Sequence, residues 1–114
     1  SIFFTGNNMG WIGVDLDGTL AEYGGWIGPN NIGEPVPKML ARVKKWLSEG
    51  KDVRIFTARA YIPEQVPPVK AWTKKWLGVE LEVTNVKDFA MIELWNDRAI
   101  QIITNTGLRA DGKE

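Results

Sequence analysis

The chain has 114 residues, 44% hydrophobic and 25% charged, with 14 basic and 14 acidic side chains. That suffices for one domain with a real core but not for two, and the balanced charge leaves no global field to recruit nucleic acid or an anionic membrane. Neither Cys nor His is present, which excludes disulfides, thiolate metal sites, cysteine nucleophiles and histidine triads. Chemistry must therefore run on carboxylates, hydroxyls, Lys or Arg, and the absences favour carboxylates with a hard divalent cation.

No apolar run reaches the ~20 residues of a membrane span, and Ser1 to Asn8 lacks the basic start and long apolar centre of a signal peptide. The expectation is a cytoplasmic protein with no membrane partner. Met9 reads as a natural start, residues 1–8 as an added leader or a disordered N-terminus, 9–104 as the core domain and 105–114 as a loose polar tail.

Trp11-Ile12-Gly13-Val14 is a short apolar run that ends in Asp15-Leu16-Asp17-Gly18-Thr19. It reads as a buried strand delivering two carboxylates to the C-terminal edge of a sheet, where ligands bind in open α/β folds. Like charges so close repel and lose hydration, and a divalent cation or a shared proton is the usual remedy. Ala21 to Pro37 is rich in Gly and Pro and reads as a loop. Trp26 and Ile27 within it either hang over the carboxylates or pin the loop to the body.

Pro37 to Glu49 has the apolar spacing of an amphipathic helix through Met39, Leu40, Val43, Trp46 and Leu47, stopped by Gly50. Val53 to Thr57 is a second strand that brings Thr57 to the same edge as Asp15, with Arg59 just beyond. Glu64 to Leu77 is a second helix, its Pro67 and Pro68 tolerable only in the first turn. Glu80 to Thr84 alternates as an edge strand would. Met91 to Trp95 is a fourth strand ending at Asn96-Asp97-Arg98, and Ala99 to Ile103 is a short fifth. Strands alternating with helices predict a three-layer α/β sandwich, Rossmann-like, with a mostly parallel sheet. No glycine-rich dinucleotide or P-loop motif follows any strand.

The Asp-x-Asp-Gly-Thr string at Asp15 to Thr19 after a hydrophobic strand resembles the first motif of the haloacid dehalogenase (HAD) superfamily of phosphohydrolases. Thr57, Lys87 and Asp97 follow in the order of that family's remaining motifs. The resemblance implies a HAD-like fold and an Mg²⁺-dependent phosphatase. In it Asp15 is the nucleophile that forms an aspartyl-phosphate, and Asp17 is the general acid/base, whose backbone carbonyl also ligates Mg²⁺. It makes Thr57 the hydroxyl that holds a phosphate oxygen, Lys87 the stabilising cation and Asp97 a further Mg²⁺ ligand. Lys70, Lys74 and Lys75 compete for the lysine role, and Lys87 is preferred because it directly follows a strand. Gly18 would let backbone N–H groups approach a phosphate. Arg59 is either a further phosphate ligand or half of a structural ion pair.

The fourth motif has Asn96 before Asp97 and no second carboxylate at Gln101 or Ile102. Neither insertion point has the length for a cap domain, so the chain resembles the small capless members, whose sites admit small or macromolecular phosphorylated substrates unless a homo-oligomer covers them. The leading expectation is a phosphomonoester hydrolase. The alternatives are a phosphatase of nucleotides or nucleic-acid ends, the zero net charge giving no support for strong nonspecific nucleic-acid binding, and a catalytically weak or silent phospho-ligand-binding protein.

Overall fold

The computed structural model describes residues 10–114; the expectations for residues 1–8 and Met9 lie outside them. The chain runs through β1 (Trp11–Val14), α1 (Pro37–Ser48), β2 (Asp52–Phe56), two short 3₁₀ turns (Ala58–Tyr61 and Pro63–Gln65), α2 (Val66–Leu77), β3 (Val83–Thr84) and β4 (Met91–Trp95). The four strands form one all-parallel sheet in the order β3-β2-β1-β4. This is an α/β fold, compatible with a Rossmann-like class, and among the described residues no helix is long and apolar enough to cross a membrane.

The local reasons are those of the sequence. Pro37 opens α1 at its first helical position, where a missing N–H costs nothing, and Met39 and Val43 form the buried stripe. Pro67 and Pro68 fall in the first turn of α2, ahead of buried Val69, Trp72 and Thr73. The Thr73 hydroxyl donates to the Lys70 carbonyl at 2.8 Å and accepts the Leu81 N–H at 3.1 Å. It thereby ties the end of α2 to the approach of β3.

Parallel strands connected by right-handed crossovers in one direction put both helices on one face. One core cluster accordingly joins Ile12 and Val14 of β1, Val53 and Ile55 of β2, Met39 and Val43 of α1, and Val69 and Trp72 of α2. The other face carries Trp11, Arg54 and Phe56. The Arg54 guanidinium lies 4.7 Å from the centre of the Trp11 ring, and the Trp11 indole donates to Asp88 at 2.8 Å. Gly13 sits between them on β1: a Cβ there would come within 2.7 Å of the Met91 methyl and 3.2 Å of the Trp11 ring.

Three sequence expectations change. The sandwich has two layers rather than three, because residues 85–90 cross from β3 to β4 without a helix and no further helix follows among the described residues. Ala99 to Ile103 is not a strand; it contributes only an isolated antiparallel bridge, Ile102 to Arg109. The tail is not loose at its start, since Ile103 donates to Leu108 O at 2.9 Å and Ala110 to Gln101 O at 2.8 Å, folding 101–110 back on itself.

Candidate functional site

β1 ends at the sheet edge, where its neighbours β2 and β4 end too: Val14 pairs with Ile55 and with Trp95. The residues that follow each strand, Asp15, Thr57 and Asn96-Asp97, converge on one cleft of about 620 Å³. Asp17, Tyr23, Trp26, Arg59, Gln65, Asn85 and Arg98 complete its polar and aromatic wall.

Asp15 and Asp97 form the centre. Asp15 accepts the Leu16 N–H at 2.9 Å. Its carboxyl is pushed up to about 7, first by burial, then by a hydrogen bond to Asp97 and by the negative charges of Asp97 and Asp17. A proton shared between two carboxylates is one of the two remedies for their repulsion, and a cation is the other. Asp97 also accepts from Thr19 Oγ1 at 3.4 Å. Gly18, with φ of +88°, makes the approach feasible, because a Cβ there would stand 2.5 Å from Asp97 Oδ2.

Asp17 points elsewhere. Its two oxygens accept from Arg59 Nε at 2.8 Å and Arg59 Nη2 at 2.9 Å, a bidentate pair in which the Arg59 side chain is 4% exposed and Asp17 20%. Arg59 also donates to the carbonyls of Pro29 at 3.1 Å and Asn31 at 3.2 Å, and the Trp26 ring centre lies 4.7 Å from its guanidinium carbon. Four of the five N–H groups of a guanidinium are thus committed to Asp17 and the Gly-rich loop. Arg59 is half of an ion pair that fastens the loop to the sheet edge, and it also lines the cleft.

Thr57 is buried, and its backbone N–H extends the sheet to Thr84 O at 2.9 Å. Its Oγ1 accepts the Arg59 N–H at 3.1 Å, capping the 3₁₀ turn that aims Arg59. That leaves the hydroxyl proton to donate into the cleft. Lys87, by contrast, is exposed on the 85–90 crossing and does not line the cleft. Nor do the α2 lysines: Lys74 donates to Gly78 O at 3.2 Å, and Lys75 lies over Trp76. The cations that line the cleft are Arg59 and Arg98. Sequence reasoning passed over Arg98, although it is adjacent to Asp97 and the Asn96 side chain fixes its backbone through a 2.6 Å bond to its N–H.

Because Asp17 is turned to Arg59, no group of three His, Cys, Asp or Glu side chains among the described residues is arranged for a metal. Asp15 and Asp97 are hard oxygen donors that line one cleft, the type of donor that Mg²⁺ takes. The rest of an octahedral shell would come from a backbone carbonyl, phosphate and water. No family model, curated protein or solved structure matches this chain.

Proposed function

We propose that the chain is a small, capless HAD-like phosphatase that hydrolyses phosphomonoesters through Asp15. The observation that carries the reading is the convergence of Asp15, Asp97 and Thr57 on one cleft at the C-terminal edge of a parallel sheet. A carboxylate so placed attacks phosphorus, the bond from phosphorus to the leaving oxygen breaks, and water then cleaves the acyl phosphate on Asp15. Thr57 donates to a phosphate oxygen, and Arg98 supplies the positive charge that the resemblance assigns to Lys87. Mg²⁺ held by Asp15, Asp97 and the backbone carbonyl of Asp17 would neutralise charge on the transferring group.

Asp17 is the proton donor to the leaving oxygen and the base for the attacking water. Both its oxygens are engaged by Arg59, so each proton transfer requires one of those hydrogen bonds to open. The same lock favours a second reading, a phospho-ligand-binding protein without turnover. One assay separates the two: phosphate release from p-nitrophenyl phosphate with Mg²⁺ or EDTA, in the wild type and Asp15→Asn. The phosphatase gives metal-dependent release that the variant lacks. Release that survives in Asp15→Asn overturns the covalent route, and Mg²⁺-dependent phosphate binding without release establishes the second reading.

A further inference from the structure

The cleft is larger than a phosphate and its metal require, and its upper wall is aromatic. Ligand sites span about 300–1,000 Å³, and this one, at about 620 Å³, has room for a whole small molecule above the carboxylate pair. Tyr23, Trp26 and Phe56 line it together with Gln65 and Asn85.

Tyr23 and Trp26 are 45% and 51% exposed. Two half-exposed aromatic rings on one short stretch gain little from the core, and both line the same cleft. The loop that carries them is fastened by hydrogen bonds at its base. Glu22 donates to Glu34 O at 2.9 Å, Val36 to Leu20 O at 2.7 Å, the Trp72 indole to Gly33 O at 3.0 Å, and Arg59 to the carbonyls of Pro29 and Asn31. Between these anchors runs Tyr23-Gly24-Gly25-Trp26, where a Cβ on either glycine would meet nothing within 4 Å. Trp26 is itself oriented, because one face of its ring lies on the Arg59 guanidinium.

We infer that the cleft takes a nucleoside phosphomonoester, with the phosphate at Asp15, Thr57 and Arg98, the base stacked on Trp26 and Tyr23, and the base edge met by Gln65 and Asn85. This rests on the phosphatase reading for the phosphate end and adds the rest of the ligand. A flat heteroaromatic base suits this wall because stacking on an aromatic ring is strong and tolerant of base identity. An amide offers both a donor and an acceptor to a base edge. The shared chemistry is a base, a sugar and a terminal phosphate, which a free nucleotide and a strand end both present.

The test compares AMP with ribose 5-phosphate, which differs only in lacking the base. Wild type is expected to favour AMP in kcat/KM by about ten- to a hundredfold, the range that one stacked base commands. That preference should shrink several-fold in Trp26→Ala and, independently, in Tyr23→Ala. Equal use of the two substrates sinks the inference and leaves the phosphatase reading standing. If neither is turned over, calorimetric titration of the wild type decides. Tighter binding of AMP than of ribose 5-phosphate supports the base site without the phosphatase, while equal or absent binding overturns it. A 3′-phosphorylated oligothymidylate used better than thymidine 3′-monophosphate identifies the ligand as a strand end, and the reverse identifies a free nucleotide.

Discussion

Removing the Arg59 side chain tests how the Gly-rich loop and the sheet edge hold one another. Arg59→Met keeps most of the volume and deletes the charge along with four hydrogen bonds, two to Asp17 and one each to Pro29 O and Asn31 O. Breaking a buried ion pair from one side costs about 3–5 kcal/mol, because the remaining charge is left without compensation. Asp17 keeps 20% of its side-chain exposure, so water from the open cleft recovers part of that, and about 2–4 kcal/mol is the expected loss. In a domain near this size that lowers Tm by roughly 10–20 °C. Arg59→Lys should fall between, since an ammonium cannot bridge both carboxylate oxygens and the two carbonyls at once. Urea denaturation of Arg59→Met, Asp17→Asn and the double variant gives the coupling directly, and chymotrypsin cleavage after Tyr23 or Trp26 reports release of the loop. A coupling energy near zero, with an unchanged cleavage rate in Arg59→Met, would refute the reasoning.

The remaining expectations concern the carboxylate pair and the cation beside it. Asp15 titrates near 7 when folded against 3.8 as the ordinary value. The stability it contributes is therefore complete below about pH 4 and is lost as pH rises through 7. Asp15→Asn should gain on the wild type in Tm between pH 5 and pH 8, by an amount corresponding to about 1–2 kcal/mol once solvent screening is discounted; a difference that stays flat across that range contradicts the shared-proton geometry. Millimolar Mg²⁺ should raise the wild-type Tm at pH 8 and leave Asp97→Asn unmoved, as EDTA reversal would check. Arg98→Ala should lower kcat/KM by about ten- to a hundredfold through loss of a charge-assisted contact, and Lys87→Ala by far less. The opposite order would return the lysine to the site.

Much of this architecture is legible in the residues. Trp11 to Val14 and Val53 to Phe56 are apolar runs that break into polar residues, and that break places Asp15 and Thr57 at a common edge, because parallel strands all end there. The helices announce themselves by the spacing of Met39 and Val43 and by prolines permitted only at a start. Lys87 follows a strand yet lies outside the lining of the cleft, because following a strand does not determine where the chain goes next. The 85–90 segment leaves the edge at once to cross the far face, where Asp88 meets Trp11. The missing third layer was readable in principle, since that segment is too short for a helix of even two turns. Ala99 to Ile103 has strand-forming residues but makes one bridge, Ile102 to Arg109, rather than a ladder, and propensity without pairing makes no strand. The partner of Arg59 lies 42 positions away, beyond the reach of any local pattern.

The strand order has a consequence for how the protein comes into being. β1, β2 and β3 are joined by local helical connections and can assemble as they emerge from the ribosome. Asp97 follows β4, which among the described residues pairs with β1 alone, and its hydroxyl partner Thr19 lies 78 positions earlier. Contacts that close so long a loop form late. The two carboxylates come together only when that last strand docks, so nascent chains that already hold most of the core still lack the pair.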